Sequence, residues 1–496
     1  MSKRIVMIGV DGMDKVLISK FKKELPTISK IIKRSPTIDV HSVFPPDSDT
    51  AWASIYTGLN PARHGVVHFL DPLEKSLIYQ TKDTPNKYIK GKTFWDIGGK
   101  YGKRFCIILP HLGYPVWQVN GIMIGRSSVN DDVQAYPDDI GNEFDLHRLN
   151  TIKGFPGKGG LSHEEFIKRH EELLNATIEF GLKMLRKEDW DLFFIYSSVL
   201  DVVPHFFWKY FDESDPAYPG DNPYKDVIRN FYKLHDEMIK KFYSQLDQDD
   251  ILILLSDHGH GRRPIKNVNI NELLKRKNLL FPKKRDVFAI IIEGLKRKTL
   301  SIASKYNLEN IGSKLLKVIP RLRKIYTTPP TINWENTLAY ASDLSGIKSY
   351  SYAGIRINKR LIEDEETYEK IRSEIIEALL QISDPATNNK LVKWAMRREE
   401  LYQGPYIGKY PDIVFELLDD YGVGNRIDAP LIEDAINHGI VPGSHKGDNA
   451  VFFMISNEDI NIRTNLSLMD VAPTVLDLLG IDWRRFDFDG RSILRR

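Results

Sequence analysis

Cysteine is nearly absent from this 496-residue chain: Cys106 stands alone, so neither an intramolecular disulfide nor a cysteine-based zinc cluster can form. Long apolar runs are absent as well. Runs such as 251–255 and 287–292 fall far short of the roughly 20 residues that a spanning helix needs. The run 5–10 is too short for a signal-peptide core and leads directly into Asp11 and Gly12. Net charge is scarce too. Seventy Lys and Arg against 67 Asp and Glu leave +3, which marks neither a nucleic-acid binder nor a strongly acidic protein. Internal repeats and low-complexity tracts are missing. These absences predict a soluble, cytoplasmic protein, and the lone cysteine agrees with a reducing compartment.

What is there is a globular balance. With 42% hydrophobic and 28% charged residues, wholesale disorder is excluded and a large core can be buried. Short runs rich in β-branched and aromatic residues, at 4–10, 104–109, 192–199, 251–255 and 450–455, each end in polar punctuation. Between them, 163–188 and 223–246 carry apolar residues at helical spacing. Strands this apolar, separated by helices, predict an α/β fold with a mostly parallel central sheet covered by helices on both faces. Ligands of such sheets sit at the carboxyl ends of the strands.

The charge is unevenly spread. Residues 271–330 hold fifteen Lys and Arg against four acids, a local +11 that leaves −8 on the remainder. This segment ends in the breaker TTPP and reads as a helical basic insertion between two parts of one catalytic domain, 1–270 and 331–496. Within it, 311–326 alternates apolar and basic residues, interrupted by Pro320. The simpler reading packs its apolar face on the catalytic domain. The other lays 283–326 on an anionic membrane surface, with a lipid-linked phosphoester as substrate and a location peripheral to the membrane.

Three aspartates, Asp11, Asp201 and Asp257, stand just past predicted strand ends, where a parallel sheet gathers them on one rim. His258 follows Asp257, and His205 follows Asp201 at helical i, i+4 spacing, with Pro204 placed in a first helical turn. His445 lies in the loop GSHKGDN. Three carboxylates and three imidazoles suit two borderline metal ions, zinc first and manganese second. Each group alone has a plainer role, as a turn residue, a helix cap or a packed histidine; their joint placement at strand ends favours the metals. The segment 44–65, FPPDSDTAWASIYTGLNPARHG, supplies hydroxyls at the start of a short helix, whose N-terminus suits a phosphate. Ser48 and Thr50 are both candidate nucleophiles there, and the plainer reading makes Ser48 or Asp49 the helix cap.

In order along the chain, VDGMD (10–14), the 44–65 segment, DVVPH (201–205), LLSDHGHG (254–261), GSHKGDN (443–449) and MDVAPTVLDLLGI (469–481) resemble the alkaline phosphatase superfamily, and most nearly its type I phosphodiesterase/nucleotide pyrophosphatase branch. The resemblance implies an alkaline-phosphatase-like fold and a two-metal phosphoester hydrolase acting on a small-molecule or lipid-linked substrate. It places Asp11, Ser48, Asp257 and His258 at one metal, and Asp201, His205 and His445 at the other. It selects Ser48 as the nucleophile that forms a phosphoseryl intermediate. A phosphomonoesterase, or a phosphotransferase or phosphomutase, of the same superfamily is the alternative, and a catalytically silent membrane- or partner-binding scaffold is the alternative of another class. A sulfatase is disfavoured, because DTAW follows Ser48 where those enzymes need C/S-x-P-x-R.

The sequence departs from the pattern in two places. The family often uses threonine followed by proline; here Ser48 is flanked by Asp47 and Asp49, two carboxylates that would repel an incoming phosphoryl group unless they bind a cation or point away. That makes Asp49 a candidate cap, a partner behind the ligands or an extra metal ligand. Nucleotide pyrophosphatases carry an asparagine after the HG of this segment; here Val66, Val67 and His68 follow Gly65, which weighs against nucleotide substrates and makes His68 a candidate donor. Arg262, Arg263 and Lys446 are candidates for binding the non-transferred part of an anionic substrate. His260 and His438 read as spare, hydrogen-bonded or solvated imidazoles, and His64 as structural.

Overall fold

The computed structural model describes residues 4–69, 71–73, 85–128, 130–157, 160–283, 332–343, 349–385, 387–439, 441–458 and 460–495. The central sheet is built from β1 (Ile5–Val10), β2 (Phe105–Ile108), β3 (Gly121–Arg126), β4 (Val133–Tyr136), β5 (Leu192–Ser197) and β6 (Ile251–Leu255), closed by a C-terminal strand, Phe452–Ile455. From Phe452–Ile455 the order runs β6, β1, β5, β2, β3, β4. The pairs from β6 to β3 are parallel, and an antiparallel strand closes each edge.

Both faces are buried, so alternate residues feed two separate cores. Val6, Ile8 and Val10 join one core, and Ile5 and Met7 the other. Helices α2 (His163–Leu185), α3 (Val199–Phe211) and α4 (Val227–Tyr243) cover the first face. Helix α1 (Ser48–Thr57) and a C-terminal helix, Val471–Leu478, cover the second. A fully buried aliphatic side chain here contributes roughly 1.5–3 kcal/mol of transfer free energy.

A second, four-stranded antiparallel sheet has its own core. Its strands are Ala339–Ser342, Tyr352–Ile357, Ile413–Leu417 and Val392–Arg397, in that spatial order. Helices Ile270–Arg276 and Glu365–Leu380 pack on it through Leu273, Leu274, Ile371 and Ile375. The first residues of the expected insertion, 271–283, therefore belong to this core on the sequence side that precedes it. The remainder, and with it almost all of 283–326, lies outside the described residues. No helix among the described residues is long and apolar enough to cross a membrane.

Register places the rim. Val10 pairs with Ser197, and Gly9 with Leu255, so β1, β5 and β6 end together. Gly12 follows with φ +69°, and a Cβ there would lie 2.9 Å from Asp201 Cα. Only glycine allows both that left-handed turn and the close approach of α3.

Candidate active site

Three strand ends and one helix start meet at this rim. Asp11 leaves β1, Asp257 and His258 leave β6, and Ser48 opens α1. Asp47 caps that helix, accepting from Asp49 N at 3.1 Å and Thr50 N at 3.3 Å. The cap is therefore Asp47, one residue ahead of the two read as caps from sequence. The hydroxyl of Ser48 is left to donate to Asp11 Oδ1, at 3.2 Å, with His258 Nε2 also at 3.2 Å. Thr50, the other candidate nucleophile, is buried and donates to Asp47 Oδ2 at 2.9 Å.

Asp11, Asp257 and His258 form one cluster of potential metal ligands. His258 Nε2 stands 3.2 Å from Asp257 Oδ2 and 3.5 Å from Asp11 Oδ1. The outer carboxylate oxygens are held from behind. Asp11 Oδ2 accepts from Trp52 Nε1 at 3.0 Å and from the Tyr196 hydroxyl at 2.5 Å, while Asp257 Oδ1 accepts from Gly12 N at 3.2 Å. Asp257 Oδ2, fully buried, makes no hydrogen bond among the described residues. Burial, with Asp11 beside it, pushes the Asp257 carboxyl up to about 8. Burial opposes charge on His258, yet Asp257 and Asp11 push it up to about 9. The site thus concentrates more negative charge than its side chains can balance, which is the environment of a bound cation.

Asp201, His205 and His445 form the other cluster. Asp201 and His205 share one face of α3, and His445 comes from the strand Gly443–Lys446. Pro204 is the sixth residue of α3 rather than a first-turn residue, as expected from sequence, so the Leu200 carbonyl gets no i+4 N–H. Asp201 Oδ1 lies 3.2 Å from both His205 Nε2 and His445 Nε2, which are 3.1 Å from each other. The same oxygen is buried without a well-aligned hydrogen bond among the described residues. His205 Nδ1 faces Gly443 O at 3.0 Å, His445 Nδ1 faces Pro46 O at 3.2 Å, and His258 Nδ1 faces Gly259 O at 2.9 Å. A carbonyl only accepts, so each ring carries its proton on Nδ1 and, when neutral, turns the Nε2 lone pair toward its cluster. Burial alone would raise Asp201, but His205 and His445 hold it well below the usual carboxylate range. The clusters adjoin, with the His258 and His445 rings stacked at 3.9 Å between centroids.

The acids beside Ser48 are both engaged. Asp47 caps α1, and Asp49 is spanned by two imidazoles, with His111 Nε2 2.6 Å from Oδ1 and His68 Nε2 3.0 Å from Oδ2. These contacts outweigh burial and hold Asp49 well below the usual range, while Asp49 pushes His111 up to about 9 against the effect of burial. His111 Nδ1 meets the Tyr196 hydroxyl at 3.2 Å, which continues to Asp11. Sequence reasoning missed His111, Trp52 and Tyr196. His111 carried the same signal as Asp11, a polar residue just past an apolar run, but sits in a turn whose Leu109 and Leu112 have φ +54° and +63°. Such conformations are strained for leucine and collect at functional sites.

The basic candidates have protein partners. Arg263 is fully buried and donates to the carbonyls of Ser349 at 3.2 Å and Gly443 at 2.6 Å. Arg262 pairs with Asp420 at 2.7 Å, and Lys446 with Asp419 at 3.0 Å. His438 is hydrogen-bonded, to Asp215 at 2.7 Å, and buried His64 to Ser54 at 2.9 Å.

With these residues in place, the sequence model of the type I phosphodiesterase / nucleotide pyrophosphatase family matches residues 5–440. The chain belongs to that family. It is accordingly a phosphoester hydrolase of the alkaline phosphatase superfamily. Two solved structures of phosphonoacetate hydrolase from Sinorhizobium meliloti 1021, in complex with phosphonoformate and with phosphonoacetate, share its fold. Each aligns at 14% identity with a TM-score of 0.58, covering 97% of this chain and 96% of the other. No curated protein matches the chain.

Proposed function

We propose that this family member is a two-metal phosphodiesterase that works through Ser48. The observation that carries the reading is the Ser48 hydroxyl, 3.2 Å from both Asp11 Oδ1 and His258 Nε2 at the start of α1, beside a second cluster of donors. Asp11, Asp257, His258 and Ser48 would hold one divalent ion, and Asp201, His205 and His445 the other. The donor chemistry fits: Asp201 Oδ1 and Asp257 Oδ2 lack hydrogen bonds among the described residues, and imidazole Nε2 atoms face them. When bound, the ions supply Lewis acidity that lowers the serine pKa and stabilises charge on the attacking and leaving oxygens.

The residues supply the rest. Asp47 fixes the first turn of α1 by accepting from Asp49 N and Thr50 N, so the Ser48 oxygen is aimed before substrate arrives. The serine oxygen forms a bond to phosphorus as the bond to the leaving alcohol breaks, and the alcohol departs with a proton. Water then cleaves the seryl–phosphorus bond and returns a proton to Ser48. Trp52 and Tyr196 hold Asp11 in one orientation throughout. His68 and His111 hold Asp49 clear of the incoming anion.

Relative turnover of bis-aryl phosphodiesters, aryl phosphomonoesters and phosphonoacetate, with transfer to an acceptor alcohol measured alongside, tests the substrate class. Diester preference is expected, and monoester preference or dominant transfer would overturn it. Zinc is the ion proposed, with manganese the competitor, and metal analysis of the purified protein decides between them. The basic segment 283–326 is proposed to carry the chain to anionic surfaces that present lipid-linked phosphoesters. Equal vesicle co-sedimentation by a chain lacking 283–326 would remove that part.

A further inference from the structure

His260 stands out among the described histidines. It is 2% exposed, yet neither Nδ1 nor Nε2 has a hydrogen-bond partner among the described residues. An imidazole buried in this way loses its water and regains nothing, an arrangement native proteins rarely keep without a function. Its location supplies one. Nε2 lies 3.7 Å from Asp201 Oδ1, the oxygen that also faces His205 and His445. His260 is the direct cross-strand neighbour of His445, in the antiparallel pair of Gly259–Arg262 with Gly443–Lys446. Its ring stands edge-on to His205, 4.6 Å between centroids, and stacks on Trp208. Room for the ring comes from Gly443, where a Cβ would lie 2.6 Å from His260 Cε1.

We propose that His260 is a further ligand of the second metal position, joining Asp201, His205 and His445 through Nε2. A separation of 3.7 Å is too long for a hydrogen bond to Asp201 but within the span of two donors to one zinc ion, which can expand to five-coordinate and so still take a substrate oxygen. Three imidazoles and one carboxylate make this position nitrogen-rich, which favours zinc or cobalt over manganese or magnesium. A packing role for the ring predicts bonded nitrogens or an apolar residue, and neither is present. The inference rests on the two-metal reading above and extends it to metal choice.

The test compares wild type with His260→Gln and His260→Phe, each stripped of metal and reconstituted with zinc or cobalt(II). Bound metal per chain and affinity under chelator competition are the readouts, with the visible spectrum of the cobalt form. Wild type should bind two ions. Both variants should hold one ion as wild type does and bind the other about 100-fold more weakly or worse, with a changed cobalt spectrum. Their selectivity for zinc over manganese should fall. Retention of both ions with unchanged affinity and spectrum overturns the role of His260 alone. A wild-type protein that binds no divalent ion overturns this inference and the two-metal reading together. Should the variants misfold, the hyperfine-shifted imidazole resonances of the wild-type cobalt protein decide: four histidines support the proposal, and three overturn it.

Discussion

The two ligand clusters lie side by side but are built from opposite materials. The first sets two carboxylates and a hydroxyl against one imidazole. The second sets one carboxylate against two imidazoles, with a third at its edge. The electrostatics follow: Asp257 is pushed up to about 8, and Asp201 is held well below the usual range. An oxygen-rich position suits the harder ion and a nitrogen-rich one the softer, so the two positions need not prefer the same metal. They also differ in support. The first cluster hangs on the ends of adjacent, fully buried parallel strands. The second joins a helix to a two-stranded ribbon, with no central strand contributing a ligand directly.

Removing the nucleophile should erase function while leaving the comparison intact. Ser48→Ala is expected to lower turnover of a bis-aryl phosphodiester by at least about 10⁴-fold with metal content preserved, since removal of a nucleophile costs that order elsewhere. Full activity would exclude Ser48 from the chemistry. Asp257→Asn and His205→Ala then separate the clusters. Each should lower the rate by about 10²–10³-fold and reduce bound metal from two ions to one, and the ion retained should differ between them. Loss of both ions from either variant would show that the clusters act as one unit.

Tyr196→Phe probes the support behind the first cluster, because it deletes the 2.5 Å hydrogen bond to Asp11 Oδ2. Metal affinity at the first position should fall by about 10–100-fold with the second unchanged, read by chelator competition. The smallest effect lies behind the rim, in the scaffold common to both clusters. His235 is fully buried on α4, and burial pulls it down to about 4. Its folded-state value lies below the ordinary 6.5, so the stability tied to its neutral form is complete above about pH 6.5 and drains away as pH falls toward 4, by up to about 3 kcal/mol. His235→Gln should flatten the urea midpoint against pH in that window, and an unchanged slope would exclude His235 as a source of acid sensitivity.

This contrast also shows what a sequence can disclose. The strands at 4–10, 192–199 and 251–255 were legible because burial on both faces removes polar residues, leaving the polar ligand at the strand end in plain view. The matching strands are Ile5–Val10, Leu192–Ser197 and Ile251–Leu255. The structure brings Asp11, Asp257 and His258 together in one cluster and Asp201, His205 and His445 in another, with the Ser48 hydroxyl beside the first. The antiparallel sheet was not foreseen: its edge strand Val392–Arg397 is only half-buried and reads like loop, and its buried strands Ala339–Ser342, Tyr352–Ile357 and Ile413–Leu417 are short, mostly apolar stretches that none of the candidate ligands follows. The cap falls on Asp47 rather than on Ser48 or Asp49, the two candidates in the sequence, since all three are good caps and only backbone geometry separates them. His111 and Tyr196 stayed hidden because their role depends on side chains 62 and 185 residues away in sequence.

One loop has a consequence for how this enzyme can vary. Pro46 turns its carbonyl to His445, and Asp47, its neighbour, caps the helix that begins with Ser48. Three consecutive residues thus serve as hinge pin, bracket and tool, with no slack between them. A one-residue insertion here would misalign the proposed attacking oxygen of Ser48 and the proposed metal ligand His445 at once, so two nominally separate defects would arise from a single lesion. Variation among relatives should therefore change residue types in this stretch and leave its length alone, with insertions accommodated in segments such as 212–226 that carry no such double duty.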